Sequence, residues 1–302
     1  MNSQQTNVLK KTFIKTITNL IPSKSTRDSL RTSFLYLGIR ETLKKISKIK
    51  REKEPDNFKY YLSIVLIIKD EATYIKEWIE YYLIQGVDHF YIFDNESTDD
   101  LKEVLQPYIK KGLITYTIFK GQGLGEIQRN VYTKTIDQYK LESKWIAPLD
   151  TDEYAYAPNY KTLAEYLKDN EEYNQIAVKW YLYGNSGHET KPNGLVIENY
   201  TMREKYPSGP TKAFVRGTKV LYMLVHKHSV IGKTKYPNLN ELRCNHYFGK
   251  SVEEFKNKKI KRGSISGRPL DMSLYNEYNK NEVFDPMPQE VIEKIKDILN
   301  KN

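Results

Sequence analysis

The feature that most constrains this chain is a series of short, wholly apolar segments, each followed by a helical pattern. Tyr60–Ile68 is dense in β-branched and aromatic side chains and lacks apolar–polar alternation. Such a run marks a strand buried on both faces, as in a parallel sheet. Asp70 and Glu71 lead into a helical pattern over Thr73–Gln85, stopped by Gly86. His89–Phe93 is a second buried strand that runs into an acidic stretch ending at Asp100. Leu101–Lys111 reads as a helix closed by Gly112, and Leu113–Phe119 as a third strand. A glycine-rich loop, Gly121–Gly125, precedes a helix through Tyr139, and a fourth strand ends at Asp150. This alternation predicts βαβ units and an α/β fold with a mostly parallel central sheet flanked by helices.

Ligands of open α/β sheets bind beyond the carboxyl ends of the strands. At that point of the fourth strand, Trp145, Ile146, Ala147 and Leu149 give way to Asp150, Asp152 and Glu153, then to Pro158 and Asn159. In an extended stretch, residues two apart point the same way, so Asp150 and Asp152 are expected to aim two carboxylates at one point. Two such groups suit a hard divalent cation. A solvated acidic loop is the plainer alternative. The glycine-rich loop matches no phosphate-binding fingerprint, yet Arg129 and Asn130 follow it where a helix is expected to open, and helix openings attract anions.

The second half is less regular. Ile176–Tyr183, Gly194–Met202 and Lys212–Val225 read as strands, with a loop over Gly184–Gly194 that contains His188 and Glu189. Three of the five histidines, His226, His228 and His246, lie between Leu224 and Tyr247. A basic tract through Lys250, Lys258, Lys259 and Arg262 is read either as a solvated helix face or as a cover over a phosphate group. Gln289–Leu299 is a final amphipathic helix.

Charge is uneven. Residues 1–58 hold 13 lysines and arginines against five acids, which leaves only about +2 of the net +10 for the rest. That segment reads as two basic amphipathic helices, and 52–57, with Pro55, as a linker. The division expected is therefore 1–58 and 59–302. The arm either folds back, makes a dimer contact, or lies on the inner face of a membrane, lysines toward anionic headgroups. A single cysteine, Cys244, precludes a disulfide framework within the chain. No apolar run reaches the length of a spanning helix and no leader-like segment is visible, so a cytoplasmic setting is expected.

Read in order, Lys69–Trp78, Gly86–Asp99 and Leu149–Tyr154 resemble the nucleotide-sugar half of GT-A glycosyltransferases, specifically glycosyltransferase family 92 and its family 2 relatives. Gly184–His188, Pro192–Leu195, Asn245–Tyr247, Lys250–Phe255 and Arg262–Gly263 resemble the second half of the family 92 pattern. The resemblance covers residues 60 to about 265. It implies a UDP-sugar donor, galactose as the sugar, and Mn²⁺ or Mg²⁺ as the cofactor. It also implies that Asp152 binds the metal, with Asp150 on the metal or ribose side and His246 or His226 as third ligand. Asp94 is implied to read the uracil ring with Asp70 nearby, although Asp94–Asn95 alone also fits a turn that starts a helix. Arg129, Lys259 and Arg262 then serve the phosphates. The expected reaction is an inverting displacement, with Asp152 and Glu189 in the catalytic set and Glu189 as general base. The acceptor is expected to be a glycan or lipid-linked polysaccharide precursor. The alternatives are a nucleotidyltransferase on a similar sheet, or a non-catalytic basic adaptor for nucleic acid or membrane.

Overall fold

A computed structural model describes residues 3–120, 124–207, 211–223, 226, 228–261 and 270–301. The basic arm forms three helices, α1 (Ser3–Asn19), α2 (Lys24–Tyr36) and α3 (Ile39–Arg51), where two are expected. Ser23 caps α2 by accepting the Thr26 amide. Gly38 sits at φ +83° between α2 and α3, a left-handed conformation that glycine adopts without steric cost, and this break splits the expected second helix.

Beyond the arm, β1 (Tyr60–Ile68), α4 (Ala72–Ile84), β2 (His89–Asp94), α5 (Leu101–Lys110), β3 (Ile114–Ile118), α6 (Leu124–Tyr139) and β4 (Ser143–Pro148) alternate as the sequence predicts. β1 pairs in parallel with β2 and β4, and β2 with β3. Leu62, Ile64, Leu66 and Ile68 of β1 enter one core with Trp78 and Tyr82 of α4 and Leu101 of α5. Val65 and Ile67 enter a second core, on the other face, with Tyr132 and Ile136 of α6. Burial on both faces is why β1 shows no alternation, and each fully buried Leu or Ile contributes about 1.5–3 kcal/mol. Gly86 ends α4 at φ +85°, and a Cβ there would lie 2.6 Å from the Ala164 Cβ, so conformation and packing both require glycine.

The second half comprises β5 (Glu153–Tyr156), α7 (Leu163–Lys168), β6 (Gln175–Leu182), α8 (Val196–Asn199), β7 (Met202–Arg203), β8 (Thr211–Arg216), β9 (Val220–Met223), β10 (His228–Val230), β11 (Thr234–Lys235) and β12 (Arg243–His246). There follow α9 (Val252–Glu254), which runs into a π-helical turn over Phe255–Ile260, then α10 (Met272–Tyr278), β13 (Val283–Phe284) and α11 (Gln289–Lys301). The main sheet has the order β3-β2-β1-β4-β8-β6-β12-β5, with β11 beside β6. β8 is antiparallel to both β4 and β6, so β6 and β12 point the same way as β1 to β4. This is the α/β architecture expected of a GT-A fold, parallel in its first half and mixed in its second. The strand expected over 194–202 is instead the short helix α8 followed by the two-residue β7. Its β-branched residues are overridden by the buried Glu77 carboxylate, which accepts the Val196 and Ile197 amides at 2.8 and 3.1 Å.

The arm is docked on the body. Ser33 Oγ lies 2.7 Å from Ser229 Oγ, which donates to the Ser29 carbonyl, and the Tyr36 and Tyr222 rings stack. The expected linker is pinned as well. Glu52 pairs with Lys140, and Glu54 meets Arg216, Lys219 and Thr218 at 2.6 to 2.7 Å. Burial works against the Glu54 charge, but these partners outweigh it and hold its carboxyl down at about 2.

Candidate functional site

The carboxyl ends of β1, β2, β6 and β12 open on one edge of the sheet. Among the described residues, four non-glycine residues adopt left-handed backbone, and each follows one of those ends: Asp70, Glu96, Ser186 and Lys250, with φ of 51° to 53°. Conformations of this kind cost about 1–3 kcal/mol each and concentrate at functional sites. The acidic stretch after β4 lies at the same edge.

That stretch is a turn, not an extended segment. The Glu153 amide donates to the Asp150 carbonyl at 3.0 Å, so the two-residue periodicity fails and Asp150 and Asp152 face different partners. Asp150 Oδ2 accepts from Lys212 Nζ at 2.7 Å. Lys212 is fully buried on β8 and also lies 3.1 Å from Glu153 Oε2, which in turn accepts the Asp150 amide. Burial drives the Glu153 carboxyl well above the usual range, with Lys212 opposing, while its Oε1 finds no hydrogen-bond partner among the described residues. Burial would strip Lys212 of its proton, but Asp150 and Glu153 hold its ammonium charged. Asp152 instead places Oδ2 2.7 Å from Lys259 Nζ and Oδ1 3.5 Å from His246 Nε2. Burial alone would raise Asp152, yet Lys259 and His246 outweigh it and keep the carboxyl well below the carboxylate range. Lys259 lies over the Phe248 ring, and burial lowers its basicity against the pull of Asp152.

Two elements fix this turn. From the core, Trp78 Nε1 and the Tyr82 hydroxyl of α4 donate to the Glu153 carbonyl at 3.1 and 2.9 Å, and the Tyr81 hydroxyl donates to the Ala155 carbonyl. From the sheet, β12 runs antiparallel to β5 with His246 opposite Glu153, and the Tyr247 amide donates to the Asp152 carbonyl. Strand pairing therefore delivers His246 to Asp152, and Trp180 and Phe248 hold its ring with centroids 4.3 and 5.7 Å away.

The remaining predicted residues are distributed as follows. Asp94 is buried at the end of β2; its Oδ1 accepts the Ser97 amide and hydroxyl, and its Oδ2 accepts the Tyr116 hydroxyl. Asp70 Oδ1 accepts the Thr98 amide at 2.6 Å, so one turn, Ser97–Thr98, joins the two aspartates. Lys258 of the π-turn reaches Glu71 and the Asp70 carbonyl, while the adjacent Lys259 reaches Asp152, so this turn straps the two strand ends together. Glu254 anchors the strap by accepting the Tyr74, Tyr200 and Ser251 hydroxyls. The His226 ring packs edge-on against the Trp180 indole, with centroids 4.9 Å apart. His228 lies buried in β10. Glu189 is exposed, on a loop whose backbone is tied to α9 through the Glu253 amide, and no contact joins it to the Asp152 cluster among the described residues. Arg129 falls in the second turn of α6 rather than at its opening, and its side chain lies outside the described residues, as does Arg262.

Among the described residues, no three His, Cys, Asp or Glu side chains gather closely enough to hold a metal by themselves. Asp152 and His246 do supply an oxygen and an imidazole nitrogen at neighbouring positions. A hard cation with one or two protein ligands completes its sphere with substrate phosphates and water, so this pair fits such an ion. The residues missed in the sequence are Lys212, Glu254 and Trp180. Lys212 carried a signal: within Thr211–Arg216 it shares a strand face with Phe214, where a lone lysine needs buried acids.

The model of glycosyltransferase family 92 matches residues 65–301. A family 92 protein of Ricinus communis is 26% identical over 230 residues, which are 70% of this chain and 39% of that protein. A galactan β-1,4-galactosyltransferase of Arabidopsis thaliana, GALS3, is 25% identical over 191 residues, 58% of this chain and 38% of that protein. The chain thus spans less than half the length of these relatives. Among solved structures, S. aureus TarS 1–349 in complex with UDP-GlcNAc aligns with a TM-score of 0.41 and 13% identity, over 72% of this chain and 64% of that one. On the family match over most of its length, this chain belongs to glycosyltransferase family 92.

Proposed function

We propose that this chain is a glycosyltransferase that takes a sugar from a UDP-sugar, with inversion, and passes it to a hydroxyl of a glycan or lipid-linked polysaccharide precursor. The observation that carries the reading is the meeting of Asp152, His246 and Lys259 at the carboxyl edge of the sheet, beside Asp70 and Asp94. Family membership supports the activity, and the galactosyltransferase relatives support galactose as the sugar.

Asp152 and His246 hold Mn²⁺ or Mg²⁺, which when bound neutralises the leaving diphosphate as a Lewis acid. Lys259, with Arg262 and Arg129, brings further positive charge to the phosphates. Asp94 accepts the uracil N3–H in place of the Tyr116 hydroxyl, and Asp70 sets the neighbouring turn. Asp150, locked to Lys212, fixes the position of the turn that presents Asp152 and the ribose side of the donor. Glu189 takes the acceptor proton from its exposed loop. The chain works at the cytoplasmic face of a membrane, where α1 leaves Val8, Leu9 and Phe13 exposed among lysines and Leu20 lies exposed just past its end. The test is incubation with UDP-galactose, UDP-glucose and GDP-mannose plus Mn²⁺, and in parallel with UTP and galactose 1-phosphate, followed by mass analysis of the products. Release of UDP from UDP-galactose supports the reading; inertness to all three, or consumption of a nucleoside triphosphate, overturns it.

A further inference from the structure

Lys250 differs from the other lysines at the carboxyl edge of the sheet. Lys212 meets Asp150 and Glu153, Lys258 meets Glu71, and Lys259 meets Asp152. Lys250 is only 6% exposed, yet among the described residues its ammonium makes no hydrogen bond and no ion pair. It rests on the face of the Tyr74 ring, with Nζ 4.2 Å from the centroid. Glu254 and Glu77 lie within reach of its charge. Both are committed elsewhere, Glu254 to three hydroxyls and Glu77 to two backbone amides. The segment 262–269 holds two arginines and no acid, so the sequence beyond the strap offers no carboxylate either. A buried ammonium without an anion is costly, and an aromatic face offsets that only in part.

The backbone adds a second cost. Lys250 adopts φ +53°, a left-handed conformation that a long side chain disfavours. The fold enforces it from both sides. The Tyr275 hydroxyl donates to the Lys250 carbonyl at 3.2 Å, and the Ser251 amide donates to the Tyr200 hydroxyl and to Glu254. Nothing inside the described fold compensates for a lysine at this position, which points to a ligand.

The position of Lys250 says which ligand. It follows His246 by four residues, where β12 leaves the sheet beside Asp152. Lys258 lies over the same Tyr74 ring at 4.2 Å, and the next residue, Lys259, holds Asp152. Burial works against the Asp152 charge, and Lys259, His246 and then Lys250 oppose it, so Lys250 is within electrostatic reach of that carboxylate. A phosphate oxygen is a compact anion of the kind a lysine ammonium pairs with as a point charge.

We propose that Lys250 binds the donor's diphosphate, its ammonium pairing with a phosphate oxygen at the edge where Asp152 lies. The inference rests on the UDP-sugar reading. It divides the basic tract in two. Lys258 and Lys259 each share their charge with an acid and fasten the strap, whereas Lys250, just before the strap, brings a whole positive charge to the ligand.

The test is calorimetry on the full chain with UDP, inorganic diphosphate and uridine, each with Mg²⁺, for the parent, Lys250→Met and Lys250→Arg. Lys250→Met is expected to weaken UDP and diphosphate about tenfold or more each, and to leave uridine within about twofold. Lys250→Arg, which keeps the charge, should lose less UDP affinity than Lys250→Met. The melting temperature of Lys250→Met should equal or exceed that of the parent, because the buried charge it removes has no acid partner. A melting temperature several degrees lower makes Lys250 a structural residue and overturns the inference, as does a loss of UDP affinity no larger than the loss for uridine. Tight UDP binding that ignores Lys250 refutes this inference alone. Lys250-dependent binding of inorganic diphosphate, with no gain in affinity from the uridine of UDP, refutes the UDP reading alone. No binding of either anion refutes both.

Discussion

Replacing Lys212 with methionine is expected to destabilise the protein strongly, although the site lies inside a strand and the two side chains are similar in length. The Lys212 ammonium is fully buried, 2.7 Å from Asp150 and 3.1 Å from Glu153. Removing one partner of a buried ion pair costs about 3–5 kcal/mol, mostly from the charge left behind. Part of that cost is avoided here. Burial already pushes Glu153 toward its neutral form, and Asp150 keeps some contact with water. The expected loss is therefore near the lower end, about 3 kcal/mol, or roughly 5 °C in melting temperature for a chain of this size. Thermal unfolding of Lys212→Met, Glu153→Gln and the double variant measures it. Because Gln removes the acid that Lys212 neutralises, the double variant should lose less than the sum of the singles, by about 1 kcal/mol or more. A carboxyl raised in the folded state stabilises below its unfolded value and loses that contribution as pH rises, so the Lys212→Met deficit should shrink toward pH 4. A shift under about 1 °C, or strict additivity, would refute the role assigned to this lysine.

Glu77 gives a second pH signature: burial, opposed by the Val196 and Ile197 amides, pushes its carboxyl up to about 7. The folded state therefore holds that proton more tightly than the unfolded state, and stability should fall as pH rises from about 4.5 to 7, by about 3 kcal/mol. Glu77→Gln should flatten that slope, which denaturant midpoints at pH 5 and 8 report; an unchanged slope counts against it. Asp94→Asn should weaken UDP binding at least tenfold, since a hydrogen bond to a charged group is worth roughly 1.5–3 kcal/mol. Tight UDP binding by that variant, read by calorimetry, removes Asp94 from the uracil site. For the arm, co-sedimentation with vesicles of rising anionic content should track the exposed face of α1 and fall with added salt. Salt-insensitive sedimentation leaves the arm as a packing element only.

The first half of the fold was legible because β1, β2 and β4 are buried on both faces, and dense apolar runs follow directly from that. The site was legible in composition but not in geometry. Asp152 and His246 stand out as residue types, and the pairing of β5 with β12 brings them side by side. The turn at Asp150 was hidden because its shape depends on Glu153 and on Lys212, which is 62 positions from Asp150. The segment after Gly194 failed for the same reason: Glu77, on α4, supplies the cap that makes Val196 and Ile197 helical. Local propensity cannot report a partner so distant in the chain.

The central claim is that Asp152 and His246 hold the ion through which this chain binds its donor. Calorimetric titration of UDP with and without Mn²⁺, on the parent, Asp152→Asn and His246→Ala, tests it most directly. The account predicts that Mn²⁺ tightens UDP binding to the parent at least tenfold and that each substitution abolishes this gain while the melting temperature stays within a few degrees. UDP affinity that ignores Mn²⁺ in the parent, or a full Mn²⁺ gain in Asp152→Asn, would contradict it.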